Sequence, residues 1–228
     1  MDIKYGELLI RLEDIKNSQK VYRNPKVINT KLKFFGIYVP TLKKLAKEYK
    51  NANFINFKFD EIYEINVIYA YANLLRLEGN LKEQFKFIND HDYLFDTWAS
   101  VDLCAPLLKD ADIQISKKFI NSKNEFVRRF GYVILLPQVR NHKMINEVFN
   151  IIIEDNRYYV IMAEGWLLSE CLITSFDESL KLLKSSNISN EIKLIAIQKA
   201  IDSLRVNDKN KDILRDYRKF MKGVNDDK

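Results

Sequence analysis

The sequence predicts an all-α protein with no sheet. Apolar residues recur at helical spacing, as where Ile65, Ile68, Tyr69, Ala72 and Leu75 fall at i, i+3, i+4, i+7 and i+10. Alternation with a period of two, bounded by turn residues, is hard to find. Glycine and proline are sparse, with six and four in 228 residues, so short connections join the periodic runs.

Taken in order, the periodicity predicts helices near 3–17, 41–50, 59–77, 80–89, 93–108, 112–121, 124–139, 142–154, 157–174, 177–185, 189–204 and 208–222. Pro40 opens the second of these, at a first-turn position where a missing N–H costs nothing. Gly79-Asn80 separates the third from the fourth. Leu94, Trp98, Val101, Ala105 and Leu108 form the stripe of the fifth, and Pro106 should end or kink it. Asp177 and Ser189 each supply an N-cap. Ile192, Ile195, Ala196, Lys199 and Ala200 form a later stripe with one basic intrusion. The tail "GVNDDK" is expected to fray. No linker or low-complexity stretch divides the chain, so one domain over 1–228 is expected. Helices in such number fit a bundle or an α-solenoid of units of about 40–47 residues. A solenoid would add a concave surface able to hold an extended ligand.

The composition narrows the function classes. With 47% hydrophobic and 30% charged residues, the chain buries a core and is not a disordered sequence. No apolar run reaches the ~18 residues of a membrane span, and the N-terminal stretch lacks a signal-peptide core. Cys104 and Cys171 sit in apolar helical patterns and read as buried free thiols. A cytoplasmic protein is expected. His91 and His142 lie far apart, outside any HExxH pattern, and neither GxxxxGK[ST] nor GxGxxG occurs, so no metal and no nucleotide cofactor are expected. The net charge of +6 and pI near 9.1 permit nucleic-acid binding. Lysine is abundant along the whole chain, however, and charge alone favours a solvated helical surface.

Three segments carry more than core patterning. In "TWASVD", Trp98 and Asp102 stand four residues apart and share a helix face. In "EFVRRFGYVILL", Arg128 and Arg129 enter an apolar helix, and "YYVIMAEGWLLSE" holds Trp166 after Gly165. Singly these have plain explanations: a core tryptophan, arginines snorkelling at the core edge, a surface acid. As an ordered set they resemble the HEAT-like repeat DNA glycosylases of the AlkD type, the DNA alkylation repair family. That family carries a W-x-x-x-D pair on one helix, an R-R pair opening a later one, and a G-W beyond. The stretch "KLKFFGIYVPTLKKLAKEY" is similar to the family's "GVRxPxLRxLAKE" signature, and "AIQKAIDSLRV" to its late helix.

The resemblance implies a C-shaped α-solenoid holding duplex DNA in its concave face, and removal of N3- or N7-alkylated purines. It places Asp102 at the catalytic carboxylate, Trp98 and Trp166 against the deoxyribose and backbone, and Arg129 and Arg128 on a phosphate. Trp98, Asp102, Arg129 and Trp166 should then converge on one basic concave surface. A cationic purine is already a good leaving group, so one carboxylate beside an electron-rich ring can favour the developing sugar cation. Two usually basic family positions differ, with Ser169 three residues after the second tryptophan and Tyr38 in the "GVRxP" stretch. The expected partner is duplex DNA, bound by a monomer without membrane, metal or cofactor. The alternatives are a non-catalytic paralogue that binds damaged or branched DNA, and a HEAT scaffold for a protein partner.

Overall fold

The computed structural model describes residues 1–19, 21 and 25–226. Its contacts group into two compact units, Met1–Asp110 and Ala111–Lys228.

In the first unit, strand β1 (Asp2–Lys4) leads into α1 (Tyr5–Ser18); then follow α2 (Val39–Glu48), β2 (Asn53–Ile55), α3 (Tyr63–Arg76), α4 (Leu81–Asp90) and α5 (Trp98–Cys104). The two strands correct the expectation of no sheet: β1 and β2 pair in parallel, with Ile3 opposite Phe54. Each has three residues, too few for alternation to register in sequence. Leu8 and Leu12 of α1, Leu42 and Leu45 of α2, and Ile65, Ile68 and Ala72 of α3 form the core. Glu64, fully buried on α3, holds the approach to α2. Its Oε1 accepts from the backbone N–H groups of Phe35 at 3.0 Å, Gly36 at 2.8 Å and Ile37 at 3.4 Å. Gly36 makes this cradle with φ +81°, a conformation that favours glycine. His91 stacks on Phe87 at 4.5 Å within an aromatic cluster that includes Tyr69 and Tyr93.

The second unit contains α6 (Ile113–Ile120), α7 (Glu125–Val133), α8 (Leu136–Arg140), α9 (Ile145–Phe149), α10 (Tyr158–Thr174), α11 (Phe176–Ser185), α12 (Asn190–Asp202) and α13 (Asp208–Asp226). Helix α10 is the hub, buried along most of its circumference by Val160, Ala163, Leu167, Leu168, Cys171 and Leu172 and packed against α7, α8, α11 and α12.

The caps follow local chemistry. Asn80 accepts from the N–H of Glu83 at the start of α4, and Ser189 from that of Ile192 at the start of α12. Pro40 lies in the first turn of α2. Asp177 falls inside the first turn of α11 and the cap position passes to Ser175. The predicted helix over 59–77 begins only at Tyr63, because Ile62 makes a bridge with Lys33. The predicted helix over 124–139 divides at Ile134–Leu135, with Pro137 opening α8. Helix α13 runs to Asp226, into the tail expected to fray; the last two residues of that tail lie outside the described residues. Cys104 and Cys171 are buried free thiols. Among the described residues no helix is long and apolar enough to cross a membrane, and no group of three His, Cys, Asp or Glu could hold a metal ion.

Candidate nucleic-acid interface

Helix α5 is short for a reason. Thr97 caps it, its Oγ1 accepting from the Ser100 N–H at 3.1 Å, and Pro106 closes it into a tight turn over Ala105–Leu107. The seven residues between place Trp98 and Asp102 one turn apart on the same face. Leu94, Val101, Ala105 and Leu108 take the core side, while Trp98 and Asp102 are half-buried.

Two bonds fasten the 27–30 segment over this face. The Trp98 Nε1–H donates to the Val27 carbonyl at 3.1 Å, and the Thr30 hydroxyl donates to Asp96 Oδ2 at 2.5 Å. Burial raises the Asp96 carboxyl above its ordinary range. The result is a pocket of about 370 Å³ lined by Val27, Ile28, Val39, Lys43, Trp98, Ala99, Asp102 and Leu103. Its walls are largely apolar, with Asp102 as its carboxylate and Lys43 as its cation. That volume falls within the ~300–1,000 Å³ of small-molecule sites. A carboxylate beside an indole in such a place suits a cationic or cation-forming group. Sequence reasoning missed Lys43 and the aliphatic wall. The available signal was "VPTLKKLAKEY": a helix opened by Pro40 sets Lys43 in its first turns.

The arginine pair is built into the second unit. Asn124 caps α7 through the N–H groups of Phe126 and Val127. Arg128 donates from Nε to the Ser122 carbonyl at 3.0 Å and from Nη1 to Asp155 at 2.7 Å. Arg157 donates to the same carboxylate at 2.8 Å. Hydrogen bonds from Arg157 first, and then from Arg128, hold Asp155 well below the usual carboxylate range despite its burial. Arg129, 5% exposed, donates from Nη1 to the Tyr159 carbonyl at 2.8 Å.

Trp166 lies on α10, half-buried, and Gly165 explains how it is placed. A Cβ on Gly165 would overlap the Ile195 side chain, so glycine lets α10 and α12 approach closely. Gly165→Ala is expected to destabilise the protein by about 1–3 kcal/mol through overpacking, read as a lower urea midpoint. An unchanged midpoint would show that Ile195 simply gives way. Trp166 shares a second pocket, of about 340 Å³, with Ser169, Glu170, Ile173, Lys199, Asp202, Ser203 and Arg205. The Ser169 hydroxyl points into its own helix, donating to the Trp166 carbonyl at 2.6 Å.

The DNA alkylation repair enzyme family model matches residues 8–204. The chain belongs to that family. No curated protein and no solved structure matches it. Membership gives the protein a role in DNA repair, and that role implies contact with DNA.

Proposed function

We propose that this member of the family hydrolyses the N-glycosidic bond of N3- or N7-alkylated purines in duplex DNA. The observation that supports this best is the pocket of α5, where Asp102 and Trp98 stand one turn apart over apolar walls. In the proposed reaction the bond between the sugar C1′ and the purine nitrogen breaks, and its electron pair neutralises the alkylated base. The sugar is left as an oxocarbenium-like cation. Asp102 stabilises that cation and the Trp98 ring faces it, while water adds at C1′ and loses a proton. No acid is required, because the leaving base is already cationic. Trp166 packs against the DNA backbone. Arg128, whose side chain keeps 18% of its surface, takes the phosphate role, and Arg129 holds α7 against the start of α10. The proposal extends to a HEAT-like repeat, for which packed neighbours such as α2 with α3 and α6 with α7 are the natural units.

The test is a duplex carrying one N7-methylguanine, incubated with the protein without metal, with free base measured over time. Release well above the spontaneous rate is expected. A second reading, DNA binding without excision, draws on the inward Ser169 hydroxyl and the intramolecular bonds of the arginine pair. Binding of the duplex with only spontaneous release would establish that reading instead.

A further inference from the structure

Where the family usually places an arginine after the second tryptophan, this chain has Ser169, and its hydroxyl is bonded backwards into α10. The next residue, Glu170, has a side chain only 4% exposed, yet it holds two surface guanidiniums. Arg140, from the end of α8, donates Nε and Nη2 at 3.2 and 3.1 Å. Arg205, from the loop after α12, donates Nη2 to both carboxylate oxygens at 2.8 Å. One buried negative charge is thus met by two positive ones, which leaves the group with a net charge of +1. These bonds also keep the Glu170 carboxylate ionised, its carboxyl lying below the ordinary range although burial opposes this.

Arg205 is not used up by this pairing. Its side chain is 52% exposed, Glu170 engages it through Nη2, and Arg205 itself lines the Trp166 pocket. Lys199 adds a second cation to the same wall. Asp202, the other carboxylate there, accepts from Gln198 Nε2 at 2.7 Å. An indole beside a positioned guanidinium and an ammonium matches a nucleic-acid backbone, with the ring against sugar or base and the cations on phosphate.

We infer that Trp166, Lys199 and Arg205 form a phosphodiester-binding site, in which Glu170 is the positioning residue that aims Arg205. The inference rests on the DNA-repair reading. It supplies from α12 and the loop beyond it the cation that Ser169 does not.

The experiment is binding of an unmodified duplex to the full chain across a salt series, so excision plays no part in the readout. Arg205→Ala and Lys199→Ala are each expected to weaken binding by about tenfold and to reduce the slope of log affinity against log salt by about 0.9. Arg205→Lys, which keeps the charge but not the fork, should recover the slope and only part of the affinity. Glu170→Gln removes a negative charge, so a site governed by charge alone would bind more tightly. Weaker binding by the folded variant is the result expected of a positioning residue. Wild-type binding with unchanged affinity and slope in both alanine variants would overturn the site, and tighter binding by Glu170→Gln would overturn the positioning role. Should Glu170→Gln not fold, the comparison of Arg205→Lys with Arg205→Ala still decides whether guanidinium geometry matters. Wild type failing to bind duplex at low salt would overturn the DNA reading itself.

Discussion

Asp102→Asn is expected to lower the rate of alkylpurine release by about 10²–10³, the typical cost of removing one preorganised electrostatic contact. The substitution keeps the shape and hydrogen-bonding capacity of a side chain that lines the α5 pocket beside Trp98 and Lys43. What it removes is the negative charge that stabilises a sugar cation in a setting poor in other polar groups. Duplex binding should be kept or slightly improved, because a carboxylate repels phosphate. Trp98→Ala is expected to act differently. The Trp98 ring contributes both a wall of the pocket and the tether to the Val27 carbonyl, so its loss should reduce binding and release together. The deciding measurement is single-turnover release of N7-methylguanine by wild type and Asp102→Asn at equal occupancy. Equal rates would place the chemistry elsewhere in the protein.

The pairing of Trp98 with Asp102 was legible because it is local: four residues on one helix fix a shared face whatever the rest of the chain does. The same holds for Gly79-Asn80, Pro40 and Ser189, whose effects act within a turn of their own positions. Legibility fails where partners come from afar. Nothing in "EFVRRFGYV" discloses that Asp155, 27 residues on, closes on Arg128, or that the Tyr159 carbonyl takes Arg129. The motif marks the arginines, and only the fold tells whether a guanidinium faces solvent or a neighbouring loop. Glu170 and Arg205, 35 residues apart, were invisible for the same reason. The strands β1 and β2 were missed because three residues hold less than two periods of alternation. Pro137 sits inside a strongly apolar run, where hydrophobic spacing continues across the break it makes in the helix. The motif marks Gly165, but its physical reason, the Ile195 side chain on α12, comes from 30 residues away.

Glu164→Gln is expected to stabilise the protein at alkaline pH and to do little in acid. Glu164 is fully buried on α10, two residues before Trp166, with the buried Tyr132 side chain beside its carboxyl. Burial pushes the Glu164 carboxyl up from 4.5 to about 7; the Asp155 charge acts in the same direction, while Tyr132 and Arg128 oppose it. The folded protein therefore holds a proton at Glu164 between roughly pH 4.5 and 7 where the unfolded chain has released it. More protons bound in the folded state means that this group's contribution falls as pH rises through that window, and the full penalty is present above about pH 7. A shift of this size corresponds to about 3 kcal/mol at most. Glutamine has the shape of the neutral acid and never ionises, so the variant should match wild type near pH 5. At pH 8 it should exceed wild type by up to about 3 kcal/mol. Urea unfolding of both proteins at the two pH values measures this directly, and the subtraction cancels every other titrating group. A stability difference that does not change with pH would mean that Glu164 ionises in the folded protein much as it does in the unfolded chain.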